Sequence, residues 1–89
     1  MRAFITVIGD DKIGIIHGVT SILQKHRVNI LDINQTLLQE YFAMMMLVDL
    51  KEMPIGFQEL KEELISVGKE LGVSIKLQHE DLFKAMHNI

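Results

Sequence analysis

The spacing of apolar residues along this chain switches back and forth between the period of a strand and that of a helix. The order of the switches is the strongest constraint on how it can fold. Ala3 to Ile8 is rich in β-branched residues and reads as a first strand, ended by the polar run Gly9 to Lys12. Ile15, Ile16, Val19, Ile22 and Leu23 then recur at helical spacing, with Asp10 or Asp11 as the expected N-cap. That helix should fade at Lys25-His26-Arg27, where cations suit the negative end of its dipole. Val28 to Leu38 returns to the strand period, with Ile33, Gln35 and Leu37 on one face and Asp32, Asn34, Thr36 and Leu38 on the other. Gln39-Glu40 is the expected turn into a third strand, Tyr41 to Leu50. There Phe42, Met44, Met46 and Val48 share one face, and Ala43, Met45 and Leu47 share the other.

The clearest helix follows. Pro54 is expected at its start, Phe57, Leu60, Leu64, Val67 and Leu71 form its stripe, and Gly72 stops it. Val73, Ile75 and Leu77 alternate with polar residues in a fourth strand, and Leu82, Phe83, Met86 and Ile89 suggest a short terminal helix. The order β-α-β-β-α-β predicts an α+β fold, a ferredoxin-like sandwich of a four-stranded antiparallel sheet with two helices on one face. Right-handed crossovers give the strand order 4-1-3-2. The expected core is Ile5, Val7, Ile16, Val19, Leu23, Ile33, Leu37, Phe42, Met44, Leu60, Leu64, Val67, Ile75 and Leu77. The second sheet face would be left open with Met45 and Leu47 on it. An apolar face of that kind in a small domain predicts a partner surface, most simply that of a homodimer.

A chain of 89 residues is read as one domain, with a βαββαβ core over 1–79 and a helical extension over 80–89. Cysteine is absent, which removes disulfides, dithiol redox chemistry and thiolate metal sites. The net charge is −3 and the nine Lys and Arg residues are scattered, so nucleic acid is not an expected partner. The apolar run at the start is too short for a signal peptide or a membrane span, and the expected location is cytoplasmic. His17, His26, His79 and His87 show no metal-ligand spacing, and Ser21, Ser66 and Ser74 lack the context of a nucleophile. No metal, no cofactor and no catalytic residue is expected.

The segment Gly9-Asp10-Asp11-Lys12-Ile13-Gly14-Ile15-Ile16 resembles the signature D-[KR]-x-G-[IV]-[IV] of ACT domains. Val28-Asn29-Ile30 with Asp32-Ile33 resembles that family's second-strand opening. The layout, with Gln35-Thr36 and Glu40-Tyr41-Phe42, is most similar to short stand-alone ACT proteins, and is also similar to modules of glycine-cleavage repressors and formyltetrahydrofolate deformylases. The chain keeps Asn29 but carries Gly9 and Asp11 where serine-sensing members place His and Asn. The resemblance implies a non-catalytic regulatory module that binds a small molecule, most simply an amino acid, at a subunit boundary. From the residues themselves, free N–H groups at a helix start suit a carboxylate, Asp11 suits an ammonium, and Asn29 offers a donor and an acceptor. The candidate ligand-binding residues are Asp10, Asp11, Lys12, Ile13, Gly14, Ile15, Asn29 and Ile30, expected to meet at one end of the sheet. The competing reading is a constitutive dimerisation or protein-interaction module that takes no ligand.

Overall fold

The structure, a computed structural model, describes residues 1–10 and 14–87; the side chains of Leu38, Phe83, Met86 and His87 lie outside that description. Its elements are β1 (Arg2–Asp10), α1 (Ile15–Lys25), β2 (Asn29–Leu38), β3 (Tyr41–Asp49), α2 (Phe57–Leu71), β4 (Val73–His79) and α3 (Glu80–His87). The sheet has the order β2-β3-β1-β4 and every pairing is antiparallel. Alternation places Ala3, Ile5 and Val7 of β1 under the helices, beside Phe42, Met44, Met46 and Val48 of β3 and Ile75 and Leu77 of β4. Val19 and Leu23 of α1 and Leu60 and Leu64 of α2 close the core from above.

Several local expectations change. The helix-capping role does not fall to Asp10: β1 runs on through Gly9 to Asp10, and α1 starts after Gly14 with no side-chain cap among the described residues. Asp11 lies outside the described residues. Pro54 does not open α2, which begins at Phe57 after an extended Gly56. Met53 and Ile55 on either side of the proline pack against the core, so the chain must reach across before it can coil. The inward stripe of α1 is Ile15, Val19, Ile22 and Leu23, which turns Ile16 onto its flank, 40% exposed. Val67 is half-buried rather than central.

The largest departure is β2. Ile33 pairs with Met46 and Leu37 with Phe42, so both occupy the helix side of the sheet as the alternation requires. Yet they are 39% and 62% exposed, because α2 lies along β4, α1 lies beside α2, and the helix layer stops short of the β2 edge. A bulge at Leu31 separates the pairs Ile30–Val48 and Asp32–Leu47 and keeps both halves of the strand in phase with β3.

The two helices are tied at the end of α1. The His26 ring, buried, donates from Nε2 to Oε2 of Glu63 at 2.5 Å, and Lys25 Nζ lies 3.4 Å from Oε1 of the same carboxylate. Partial desolvation would raise the Glu63 pKa, but the His26 hydrogen bond and charge, aided by Lys25, hold it below the ordinary carboxylate value. A carboxyl depressed in the folded state stabilises the fold above its unfolded pKa, and that contribution disappears as pH falls through the folded value. Thermal melts of the wild type should therefore lose stability below about pH 4.5, the ordinary value. Glu63→Gln should remove that part of the acid sensitivity and cost no more than about 1 kcal/mol at neutral pH, since the group is over a third exposed. Identical acid profiles for the two proteins would show that the contact is idle.

Candidate functional site

The candidate loop is anchored on Gly14, which has φ 92°, a left-handed value that favours glycine. A Cβ there would meet no atom of the described residues within 4 Å, and the backbone conformation is what requires the glycine. After it, α1 opens with no side chain of the described residues bonded to its first N–H groups. These are donors that the helix itself cannot satisfy. The Ile15 side chain is turned into the core at 2% exposure, so only its backbone is available to a ligand. Asp10 is the exposed last residue of β1. Asp11, Lys12 and Ile13 lie outside the described residues.

Asn29 does not join this group within one chain. Asp10 pairs with Tyr41, which pairs with Leu38 at the end of β2; Asn29 pairs with Asp49, which pairs with Arg2. From Tyr41 to Asp49 the two rows are about 26 Å apart at roughly 3.3 Å per residue. The reason is directional: α1 runs back antiparallel to β1, so the loop before it and the strand after it lie at opposite ends of the sheet. The expectation that Asn29 and Ile30 share a corner with Gly14 is corrected for the single chain.

Around Asn29 the structure shows a polar cavity of about 480 Å³ whose rim includes Gln24, Arg27, Asp49, Lys51 and Glu52. A second cavity, of about 500 Å³, lies on the open sheet face over Phe4, Thr6, Ile8, Asn34 and Met45. Register arranges that face in rows, Thr36-Ala43-Ile8-Ser74, Asn34-Met45-Thr6-Lys76 and Asp32-Leu47-Phe4-Gln78. Its middle is apolar and its two margins are polar, as read from the alternation. Of the apolar residues of the terminal helix, Leu82 is exposed, and the side chains of Phe83 and Met86 are outside the description. His79 stacks on Phe57, with ring centroids 3.9 Å apart. Among the described residues no group of acidic and histidine side chains is arranged to hold a metal.

Residues 2–78 match the model of the ACT domain. The chain belongs to the ACT domain family. A UPF0237 protein of Clostridium acetobutylicum is 55% identical over 100% of both chains. An ACT domain protein from Streptococcus pneumoniae superposes with a TM-score of 0.81 at 41% identity, covering 98% of each chain. The regulatory subunit of aspartate kinase from Thermus thermophilus superposes with a TM-score of 0.66 at 26% identity, covering 86% of this chain and 50% of that one. ACT domains are in general regulatory ligand-binding modules, often for amino acids, and commonly dimerise. Among the described residues no helix is long and apolar enough to cross a membrane.

Proposed function

We propose that this ACT domain is a non-catalytic regulatory module that binds an amino acid, or a closely related small metabolite, at the junction of two copies of the chain. The observation that carries this reading is the separation of Gly14 from Asn29. The start of α1 offers a carboxylate N–H groups that no described side chain caps, and Asn29 offers its amide at the far end of the sheet. Antiparallel pairing of β2 with β2 of a second copy lays the start of one strand beside the end of the other. That pairing brings the partner copy's second-strand opening to the end where β1 stops and α1 begins. The site is then complete only in the dimer.

The β2 edge suits this role. It is a 10-residue edge strand without proline or lysine, and Ile30, Ile33 and Leu37 on it are exposed. The other edge, β4, is 7 residues long and carries Lys76, a device that discourages pairing. An amino acid would place its carboxylate on the N–H groups around Ile15 and its ammonium by Asp11 or the Asn29 oxygen. The second reading, a ligand-free interaction module, is favoured by the open sheet face, whose apolar middle has the anatomy of an interface core.

Sedimentation should find a dimer at micromolar concentration, and Leu37→Asp on the edge should yield a monomer. A melting screen against amino acids and common metabolites should find a ligand that raises the wild-type Tm by mass action. Asn29→Ala, Asp11→Ala and the monomeric variant should each lose at least about tenfold in affinity, with the two alanine variants melting like the wild type in the absence of ligand. A Tm that responds to protein concentration but to no metabolite would leave the interaction-module reading in its place.

A further inference from the structure

The end of α1 breaks a local rule that the end of α2 obeys. At α2 the residue after the last turn is Gly72, with φ 73°. At α1 the corresponding turn is closed by Arg27 N–H to Gln24 O at 3.2 Å and Val28 N–H to Leu23 O at 2.8 Å, the paired bonds that normally enclose a glycine. Here the left-handed residue is Arg27, with φ 57°. A side chain with a Cβ is disfavoured at such a φ. Attraction to the helix dipole is a weak reason for it, because Lys25 and His26 already stand at that end.

Arg27 projects from the rim of the polar cavity that also holds Asn29, and Lys51 stands on the same rim. Among the described residues neither cation has an ion-pair partner. Of the two rim carboxylates, Asp49 accepts the Lys51 backbone N–H at 2.9 Å, and Glu52 pairs with neither cation. The cavity, about 480 Å³, is large enough for a small metabolite.

We propose that Arg27 and Lys51 form the anion-binding end of the ligand site, so that the ligand is an amino acid whose side chain ends in a carboxylate or a phosphate. This rests on the proposed function, since it places Asn29 at the ligand and lets the side chain extend from the α-amino acid head into the cavity beside it. Arg27 supplies a planar donor fork and Lys51 a point charge, a pairing suited to an oxyanion.

The test is a set of calorimetric titrations of the full chain with L-aspartate, L-glutamate and O-phospho-L-serine against L-asparagine, L-glutamine and L-serine, with succinate and inorganic phosphate as further arms. At least one acidic amino acid should bind tenfold or more tightly than its uncharged counterpart. Arg27→Gly should erase that preference while holding or raising the Tm of the free protein, because it relieves the left-handed turn. Lys51→Gln should weaken the acidic ligand without altering the Tm. Equal affinity for acidic and uncharged amino acids would overturn the inference and leave the amino-acid reading standing. Binding of succinate or phosphate but of no amino acid, lost in Arg27→Gly, would overturn the amino-acid reading and the acidic amino acid with it, and leave Arg27 in a site for simple anions. Silence from every ligand would sink both.

Discussion

Leu64→Ala is expected to cost about 2–5 kcal/mol of unfolding free energy, measured by urea denaturation at constant protein concentration. Leu64 is 1% exposed and lies on the face of α2 that carries Leu60 against the sheet. Removing its isobutyl group loses transfer free energy and leaves a void that a packed interior closes only in part. Small domains hold on the order of 5–15 kcal/mol in total, so the variant should melt far below the wild type. The control is Ile16→Ala. Ile16 is as apolar as Leu64 but 40% exposed, and its loss should cost under about 1 kcal/mol in the monomer. A Leu64→Ala penalty below half a kcal/mol would mean that α2 presents another face to the sheet.

Most of the fold was legible because each element has a period long enough to read. The third strand is the clearest case: Phe42, Met44, Met46 and Val48 are all buried, while Ala43 and Met45 are exposed, as their alternation requires. The second strand shows the limit of the same reasoning. Alternation assigned Ile33 and Leu37 to the correct face, but a face is not a depth. How far two helices reach across four strands depends on where they pack, and here α2 lies on β4 with α1 beside it. The choice of Ile16 over Ile15 failed for a related reason. Adjacent isoleucines are about a hundred degrees apart around a helix, and only the position of Val19, Ile22 and Leu23 against the sheet decides which one turns inward.

The candidate site was less legible, although the needed signal was present. A strand and the helix that follows it run in opposite directions, so the loop at Gly14 and the strand start at Asn29 could have been assigned to opposite sheet ends from the element order alone. Proximity along the border of one helix suggested a shared corner that a single chain does not have. Arg27 was readable only in part. The helix stop at Lys25-His26-Arg27 was expected from its cations, but nothing in the composition says that the turn there is left-handed.

Gly68→Ala tests the packing on which the rest of the sheet depends, and its expected sign opposes helix propensity. In an exposed helix interior, alanine in place of glycine stabilises by about 1 kcal/mol. Gly68 is buried in α2, and a Cβ there would lie 2.8 Å from the Val73 carbonyl oxygen and 3.2 Å from Cγ1 of Ile75. The first of these atoms is backbone and the second belongs to a core side chain, so α2 must lift from β4 or β4 must bend away. Overpacking of this kind costs about 1–3 kcal/mol, enough to outweigh the propensity gain. Gly56, at the other end of the same helix, has φ −74° and open space around its Cβ position, so Gly56→Ala should be neutral to within about half a kcal/mol. The pair separates crowding from conformational entropy, since both substitutions restrict the unfolded chain alike. If Gly68→Ala instead raised the Tm, α2 would have to stand further from β4 than the structure places it. The helix layer could then reach toward β2, and the exposed edge that the proposed dimer uses would be covered.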